Sequence, residues 1–441
     1  MLLLHISDIH FKSPNCLNPS TDPERPYRTA LVQDVEKRVQ ALGQVGAILI
    51  GGDIAFKAAE DEYKAATQWI SELAAVAGCP MERVYVVPGN HDVDRTVAAN
   101  SMATRNAQKA ILNSGNKERE LRGQMHDPDT ARALFAPIEA YNNFASPFGC
   151  QVYLPDQPYW SQDLELGEGV TLRIHGLTSV FLSGVDGKDD EQRGLYLSPL
   201  QTVLDPVRDV VNLVLSHHPP DWFMDCDDAE DRICGRAHIH MFGHKHRQRY
   251  QNDERYVRFH AGAVNPDRDE QGWQPGYNLV ELKIASQGAF RQIEVKSHLL
   301  EWQTNPDRFR PRLNDDDEHI FSHVIRFPGS AEPLQAVPSV SLDDSMTAPQ
   351  EPSLSSGSAA KVGDDSGVGS MGTARTRNLV FRFWQLRSSD RREIARSLGL
   401  ITEEDMKFLE TERYGRALRR AAQEGKLDAL ACEVEKWEAR K

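Results

Sequence analysis

The sequence predicts an α/β fold in which two facing mixed β-sheets are flanked by helices, with a small all-α domain at the C-terminus. Three observations carry that prediction. Short runs rich in Val, Ile and Leu alternate with segments of helical period through the first half of the 441-residue chain. Later apolar runs follow one another with little helix between them, the pattern of antiparallel neighbours. A stretch without aromatic residues then separates these runs from a last segment carrying Leu and aromatics at helical spacing. At 26% charged and 40% hydrophobic residues, the composition is that of an ordinary soluble globular chain.

Taken in order, Leu2 to Ser7, Ala47 to Gly51, Val84 to Pro88, Leu172 to Gly176, Val211 to Ser216 and Ile239 to Phe242 read as buried strands. Each is a short apolar run rich in Val, Ile or Leu that stops at a polar or Gly-containing turn. Helical period covers Tyr27 to Leu42, Glu60 to Ala77 and Asp129 to Phe144. Residues 94–160 are long, polar or helical, and lie between strand-like regions, so they read as a helical insertion bordering the strand ends. Tyr256 to Ala261, Tyr277 to Ile284 and Phe290 to His298 are expected to build the second, more antiparallel sheet. Residues 1–330 then form one domain. Residues 331–376 contain no aromatic residue and are rich in Ser, Pro and Gly. They cannot bury enough apolar surface to offset ordering entropy and are expected to be a disordered linker. Residues 377–441 regain Leu and aromatics, with a helix start at Ser389-Asp390 and breaks at Gly399 and Gly425, and are expected to be a small helical interaction domain.

Charge narrows the function classes. The 51 Lys+Arg against 65 Asp+Glu leave a net −14, which excludes a uniformly basic nucleic-acid coat but not a local basic groove. From Arg377 to Lys441 the balance reverses, with 15 basic and 12 acidic residues, which marks the tail as a part with its own task. The six cysteines form no CxxC pair, the usage of reduced thiols. His5, Asp8 and His10 interrupt the opening Leu run, and no later stretch reaches a membrane-spanning length. A cytoplasmic protein is the expectation.

Five short clusters sit just past expected strands, where open α/β sheets place their ligands. They are Asp8-Ile9-His10, Gly52-Asp53, Gly89-Asn90-His91-Asp92, His217-His218 and Gly243-His244-Lys245-His246. Any one of them is a common turn or strand-end pair; five in this order are not. Carboxylate, amide and imidazole without thiolate suit Mn²⁺, Fe²⁺, Co²⁺ or Zn²⁺ better than an all-oxygen Mg²⁺ cage. In Asp8-Ile9-His10 the outer side chains share one side of the chain while Ile9 turns to the core. Gly52 permits the tight turn that brings Asp53 forward to bridge two ions, and Gly89 does the same for Asn90 and His91. His244 and His246 present their rings together while Lys245 points away.

These five blocks resemble the motif set of the calcineurin-like metallophosphoesterase superfamily: Asp-X-His, Gly-Asp, Gly-Asn-His-Asp/Glu, His, and Gly-His-X-His. The resemblance covers about residues 1–300. It implies Asp8, His10 and His246 on one metal, Asn90, His217 and His244 on the other, and Asp53 between them, with His91 as the catalytic histidine beside the phosphate and Asp92 its neighbour. Either His217 or His218 fits the fourth block; His217 is favoured as the first after its strand. The resemblance implies two divalent ions, Mn²⁺ foremost, about 3.5 to 4 Å apart, holding a bridging hydroxide for in-line attack on phosphorus. Gly52-Asp53 is followed by Ile54-Ala55-Phe56-Lys57 and lacks an Asp-Arg-Gly extension. That weighs against a Ser/Thr protein phosphatase and toward the cyclic-nucleotide phosphodiesterase and exonuclease branches.

Other residues have weaker claims. Arg95 could reach a substrate phosphate. Trp160, Trp222 and Trp273 could line the cleft, although Trp is more often core. His5, His238 and His240 read as buried or supporting rings. The basic stretches Asp390 to Arg396 and Tyr414 to Arg420 read as a solvated helix face more readily than as a nucleic-acid contact. The tail resembles the effector-associated adaptor domains fused to enzymes in bacterial conflict systems, which implies a recruited protein partner. The expected activity is hydrolysis of a phosphodiester, with a phosphomonoesterase or a non-catalytic metal-containing scaffold as alternatives. The sequence leaves open which diester it is: cyclic nucleotide, dinucleotide, DNA or RNA.

Overall fold

A computed structural model describes residues 1–188, 190–266, 274–287, 290–328 and 373–440. Its strands are β1 (Leu2–Ile6), β2 (Val45–Ile50), β3 (Val84–Val86), β4 (Tyr159–Gly167), β5 (Val170–Leu177), β6 (Val210–Ser216), β7 (Ile239–Phe242), β8 (Arg249–Asp253), β9 (Tyr256–His260), β10 (Gly276–Gln287), β11 (Phe290–Gln303), β12 (Arg308–Pro311) and β13 (Phe321–Pro328). The first sheet runs β12-β11-β10-β1-β2-β3, with β13 also on β11; the second runs β4-β5-β6-β7-β9-β8. Both are mixed. β1, β2 and β3 are parallel, as are β5, β6, β7 and β9, and the antiparallel strands lie outside them. β1 and β6 are buried at every position, so they read as continuous apolar runs. β4, on an edge, alternates buried and half-buried residues over its first six positions.

The later strands divide differently from the expectation. β9 joins the second sheet beside β7, while β10 pairs antiparallel with β1, Leu279 opposite Leu4, and carries β11 into the first sheet. Apolar period marks a strand but does not name its partner, and here β10 covers the open edge of β1.

The helices are α1 (Arg25–Leu42), α2 (Glu60–Ala77), α3 (Arg95–Asn100), α4 (Met102–Asn113), α5 (Lys117–His126), α6 (Pro128–Phe135), α7 (Glu139–Ala145), α8 (Cys226–Arg236), α9 (Ala374–Trp384), α10 (Ser388–Ser397), α11 (Glu410–Gln423) and α12 (Leu427–Glu438). α2 shows why the local sequence forms one. Glu60, Asp61 and Glu62 complement its N-terminal dipole, Tyr63, Ala66, Ile70, Leu73 and Ala77 make a buried stripe, and Gly78 closes it at φ +64°. The helix expected over Asp129 to Phe144 is broken. Pro137 cannot donate to the ladder, so α6 ends at Phe135 and α7 starts at Glu139.

α9 to α12 have a core of their own that includes Leu379, Phe383, Ile394, Tyr414, Leu418, Leu430 and Val434. α9 begins at Ala374, three residues before the expected boundary. The rest of the expected linker, 331–372, lies outside the described residues. The basic stretches of α10 and α11 are only partly a solvated face. Arg392 and Arg396 are exposed, but Arg391 donates to the Trp384 carbonyl and Glu410, and Arg420 to Asp405 and Leu400. Among the described residues no helix is long and apolar enough to cross a membrane.

Candidate metal centre

β1, β2, β3, β6 and β7 end on the same side of the two sheets, and each hands its chain to one of the five clusters. The turns are unusual. Asp8, His10, Asp53, His244 and His246 all have positive φ, between +51° and +67°, a conformation that non-glycine residues rarely adopt. Contacts between the loops hold it. The Asp8 amide donates to Gly52 O at 3.0 Å, the His10 amide to Asp53 O at 3.0 Å, and the His244 amide to Asp8 Oδ2 at 3.2 Å. Gly89 lets the third loop close on the second, since a Cβ there would overlap Asp53.

The donor atoms converge. The Gly51 carbonyl can only accept, so His217 Nδ1, 2.8 Å away, carries the proton and Nε2 is left with its lone pair. That lone pair meets Asn90 Oδ1 at 3.0 Å, His244 Nδ1 at 3.2 Å and Asp53 Oδ2 at 3.4 Å. Asn90 Oδ1 is also 3.0 Å from His244 Nδ1, and His246 Nε2 is 3.2 Å from Asp8 Oδ1. Ligating atoms lie within 4.8 Å of one another in the groups Asp8–His10–His246, Asp8–Asp53–His217, His10–Asp53–His91 and His217–His218–His244.

Burial holds His217 down to about 4 and His10 and His244 well below the ordinary histidine value, so these rings are neutral at pH 7, the form that binds metal. Burial, then the charges of Asp8 and Asp92, push Asp53 well above the carboxylate range. At Asp8 burial works upward, but His246, His217 and His10 together more than reverse it. His10 Nδ1 is buried without a hydrogen-bond partner. Two imidazole nitrogens, an amide oxygen and a carboxylate oxygen gathered in this space are a donor set that fits borderline divalent ions.

The paired histidines differ. His218 is also buried, but Ser179 Oγ lies 2.8 Å from its Nδ1 and Asp190 Oδ2 lies 3.6 Å from its Nε2. His217 is thus the ring turned to Asn90 and Asp53, while His218 packs behind His244 at 4.3 Å between centroids.

His91 Nδ1 lies 3.0 Å from the Phe56 carbonyl, its ring stacks on Phe56 at 4.9 Å, and it meets His10 edge-on at 4.8 Å. Asp92, expected beside His91 as a catalytic neighbour, occupies a bracing position instead. It is fully buried and accepts from the amides of Ile54, Ala55 and Gly89 and from the Tyr63 hydroxyl. Burial raises it to about 6 against those bonds.

Arg95 opens α3 and its charge depresses the His91 pKa, an effect smaller than that of burial. Trp160 is core: its indole donates to Val86 O at 3.0 Å and stacks on Tyr85. Trp222 does stand at the centre, 4.0 Å from the His244 ring. Trp273 lies outside the described residues. His5 and His240 are buried, and His238 Nδ1 accepts from the Asn212 amide. Lys245 turns aside to Asp221 at 2.6 Å. The sequence offered no signal for Phe56 or Tyr63, because their roles rest on a carbonyl and a hydroxyl meeting other loops. Nor did it single out Arg247, Arg249 and Arg312. Arg247 and Arg249 line two cavities of about 470 and 510 Å³ that also share His246; Arg312 lines the smaller, and the larger reaches Trp222 and His244.

Residues 1–248 match the family model of the calcineurin-like phosphoesterases, and residues 375–436 that of the GTPase-associated adaptor domain. A search of curated proteins finds no match. Solved structures similar to the chain include wild-type Vps29 of Entamoeba histolytica complexed with zinc, at 10% identity over 70% of this chain and 97% of that one, TM-score 0.30. A predicted phosphoesterase of Streptococcus pneumoniae is similar at 12% identity over 73% and 97%, TM-score 0.25. A putative 5'-nucleotidase of Staphylococcus aureus is similar at 12% identity over 72% and 56%, TM-score 0.30.

Proposed function

The chain belongs to the calcineurin-like phosphoesterase family, and from that premise we propose that it is a dinuclear-metal-dependent hydrolase of a phosphodiester, a cyclic nucleotide or a nucleic acid. One observation carries the reading: Asn90 Oδ1, His244 Nδ1 and Asp53 Oδ2 all lie within 3.4 Å of His217 Nε2, the nitrogen left unprotonated because Nδ1 donates to the Gly51 carbonyl. In this reading Asp8, His10 and His246 hold one ion, Asn90, His217 and His244 the other, and Asp53 both. Divalent ions in such sites, Mn²⁺ the first candidate here, acidify water and neutralise phosphoryl charge.

The chain's own groups do the rest. His91, its Nδ1 proton committed to Phe56 and its ring plane held by the stack, presents Nε2 to the departing oxygen or the phosphoryl charge. Asp92 fixes the Gly52-Asp53 loop against the Gly89-Asn90-His91 loop. The two cavities beside His246 support a substrate with groups beyond the scissile phosphate. Arg247, Arg249 and Arg312 suit further anionic groups there, and Trp222 offers a ring to a base. The adaptor domain recruits a protein partner, a GTPase-associated one if the name of the matched domain applies.

The test is metal uptake by elemental analysis, together with hydrolysis of bis-p-nitrophenyl phosphate against the monoester p-nitrophenyl phosphate in Mn²⁺. Uptake of a transition metal and faster diester cleavage, both lost in Asp53→Asn, are expected. A protein that takes up no transition metal sinks the proposal, and a monoester preference moves it to a phosphomonoesterase.

A further inference from the structure

The adaptor domain is docked on the catalytic domain, and α9 meets the turns Met81–Arg83 and Ser146–Phe148 and the start of β3. That strand is the outer one of the first sheet, so the carbonyls on its free side have no strand to pair with. Alternate carbonyls of an extended chain share a side, which puts those of Val84 and Val86 in one row, with the carbonyl of Glu82 in the turn Met81–Arg83 just before it. Val86 O is met from within the catalytic domain, by the Tyr141 hydroxyl and the Trp160 indole, each at 3.0 Å. The other two are met by the adaptor. Arg377 donates from Nε to Glu82 O at 2.5 Å and from Nη2 to Val84 O at 3.4 Å and Phe148 O at 3.1 Å. Its guanidinium lies 4.1 Å over the Tyr85 ring, and the residue is 4% exposed.

The neighbouring contacts make this a built interface. Asn378 donates to the Glu82 carboxylate at 3.1 Å, and Thr411 bonds to Asn143. α11 comes so close at Gly415 that a Cβ would overlap the Tyr153 hydroxyl. Four residues beyond Val86 the same chain reaches Asn90 and His91.

We infer that Arg377 is a positioning residue of the metal centre: the docked adaptor holds the free edge of β3 and, through it, the loop that presents Asn90 and His91. This rests on the reading of those two residues given above. A forked, planar cation suits three carbonyls in a way that a lysine cannot reproduce. A partner that takes the α9 and α11 face displaces the dock, and by linkage its binding and the state of the centre are coupled.

The experiment uses the full chain as wild type, Arg377→Ala, Arg377→Lys and Gly415→Leu, the last breaking the dock from α11 without touching β3. Hydrogen exchange of residues 82–92 and 377–384, the Kd for Mn²⁺ by calorimetry, and kcat and KM on bis-p-nitrophenyl phosphate are read together. Arg377→Ala and Gly415→Leu are expected to speed exchange over 82–92 and to weaken Mn²⁺ binding about tenfold. They are also expected to lower kcat more than they raise KM, with Arg377→Lys between them and wild type. Faster exchange at 377–384 with Mn²⁺ affinity and kcat within about twofold of wild type overturns the inference. If wild type binds no Mn²⁺, the proposed function fails separately. Exchange over 82–92 then decides alone: unchanged protection in both docking variants overturns the inference, and its loss in both supports it.

Discussion

The strand-end cluster and the adaptor domain treat polar groups in opposite ways. At the cluster, five residues hold a strained backbone, and imidazole nitrogens and oxygens from separate loops crowd together around His217 Nε2. In the adaptor the internal charges are paired. Asp405 accepts from the Thr402 amide and hydroxyl and from Arg420, while Arg391 reaches Glu410 and the Trp384 carbonyl. Local consistency builds a scaffold, and a site is where that consistency is broken and compensated elsewhere. The stacked apolar faces of the two sheets compensate here.

The largest effect expected from this contrast is at His91. His91→Ala should lower kcat by about 10² to 10⁴ while metal uptake, measured by elemental analysis, is retained. Loss of the metals with the ring would make His91 a ligand in place of an acid, and would redraw the cluster.

Next comes acid. His217, His175 and His238 are held near 4 and His5, His240 and His260 near 3 by burial, whereas the unfolded chain takes up these protons near 6.5. Their folded pKa values are depressed, so the stability they allow is complete above about 6.5 and is lost as pH falls toward 4 and 3. Residues 374–440 contain no histidine. There burial raises the Asp405 carboxyl, but Arg420 and Thr402 bring it below its ordinary value, so its stabilisation is lost only as pH falls through the acid range below about 4. Hydrogen exchange of the metal-free protein at pH 7 and pH 5 should therefore loosen the sheets before α9 to α12. Equal loosening of both would break the comparison.

The smallest effect is within the adaptor. Asp405→Ala leaves the Thr402 and Arg420 donors without their acceptor and should cost roughly 1–3 kcal/mol of local stability. The readout is exchange in α11; protection equal to wild type would mean that water replaces the carboxylate fully.

Much of this molecule was legible in one dimension. The helix over Glu60 to Ala77 and the strand over Ile239 to Phe242 lie where the apolar period puts them, and the five clusters were visible because each follows a hydrophobic run. Pairing was not legible. β10 and β11 were assigned to the second sheet and lie in the first, since a strand's period is the same whichever neighbour it meets. Asp92 was grouped with the chemistry because it adjoins His91; its bonds to Ile54, Ala55 and Tyr63 reach back 29 to 38 residues.

By itself the sequence determined which residue types are on hand at each strand end, how long the elements are, and that the last 60 or so residues can build a core of their own. These are matters of local period and composition. Only the tertiary structure decided which donor atoms come together, which of two buried histidines faces Asn90 and Asp53, and that Arg377 reaches Glu82 across 295 residues of chain. Such contacts are set by the closing of two sheets and a helical domain upon one another, and no short-range pattern encodes the orientation of a side chain toward a partner so far away.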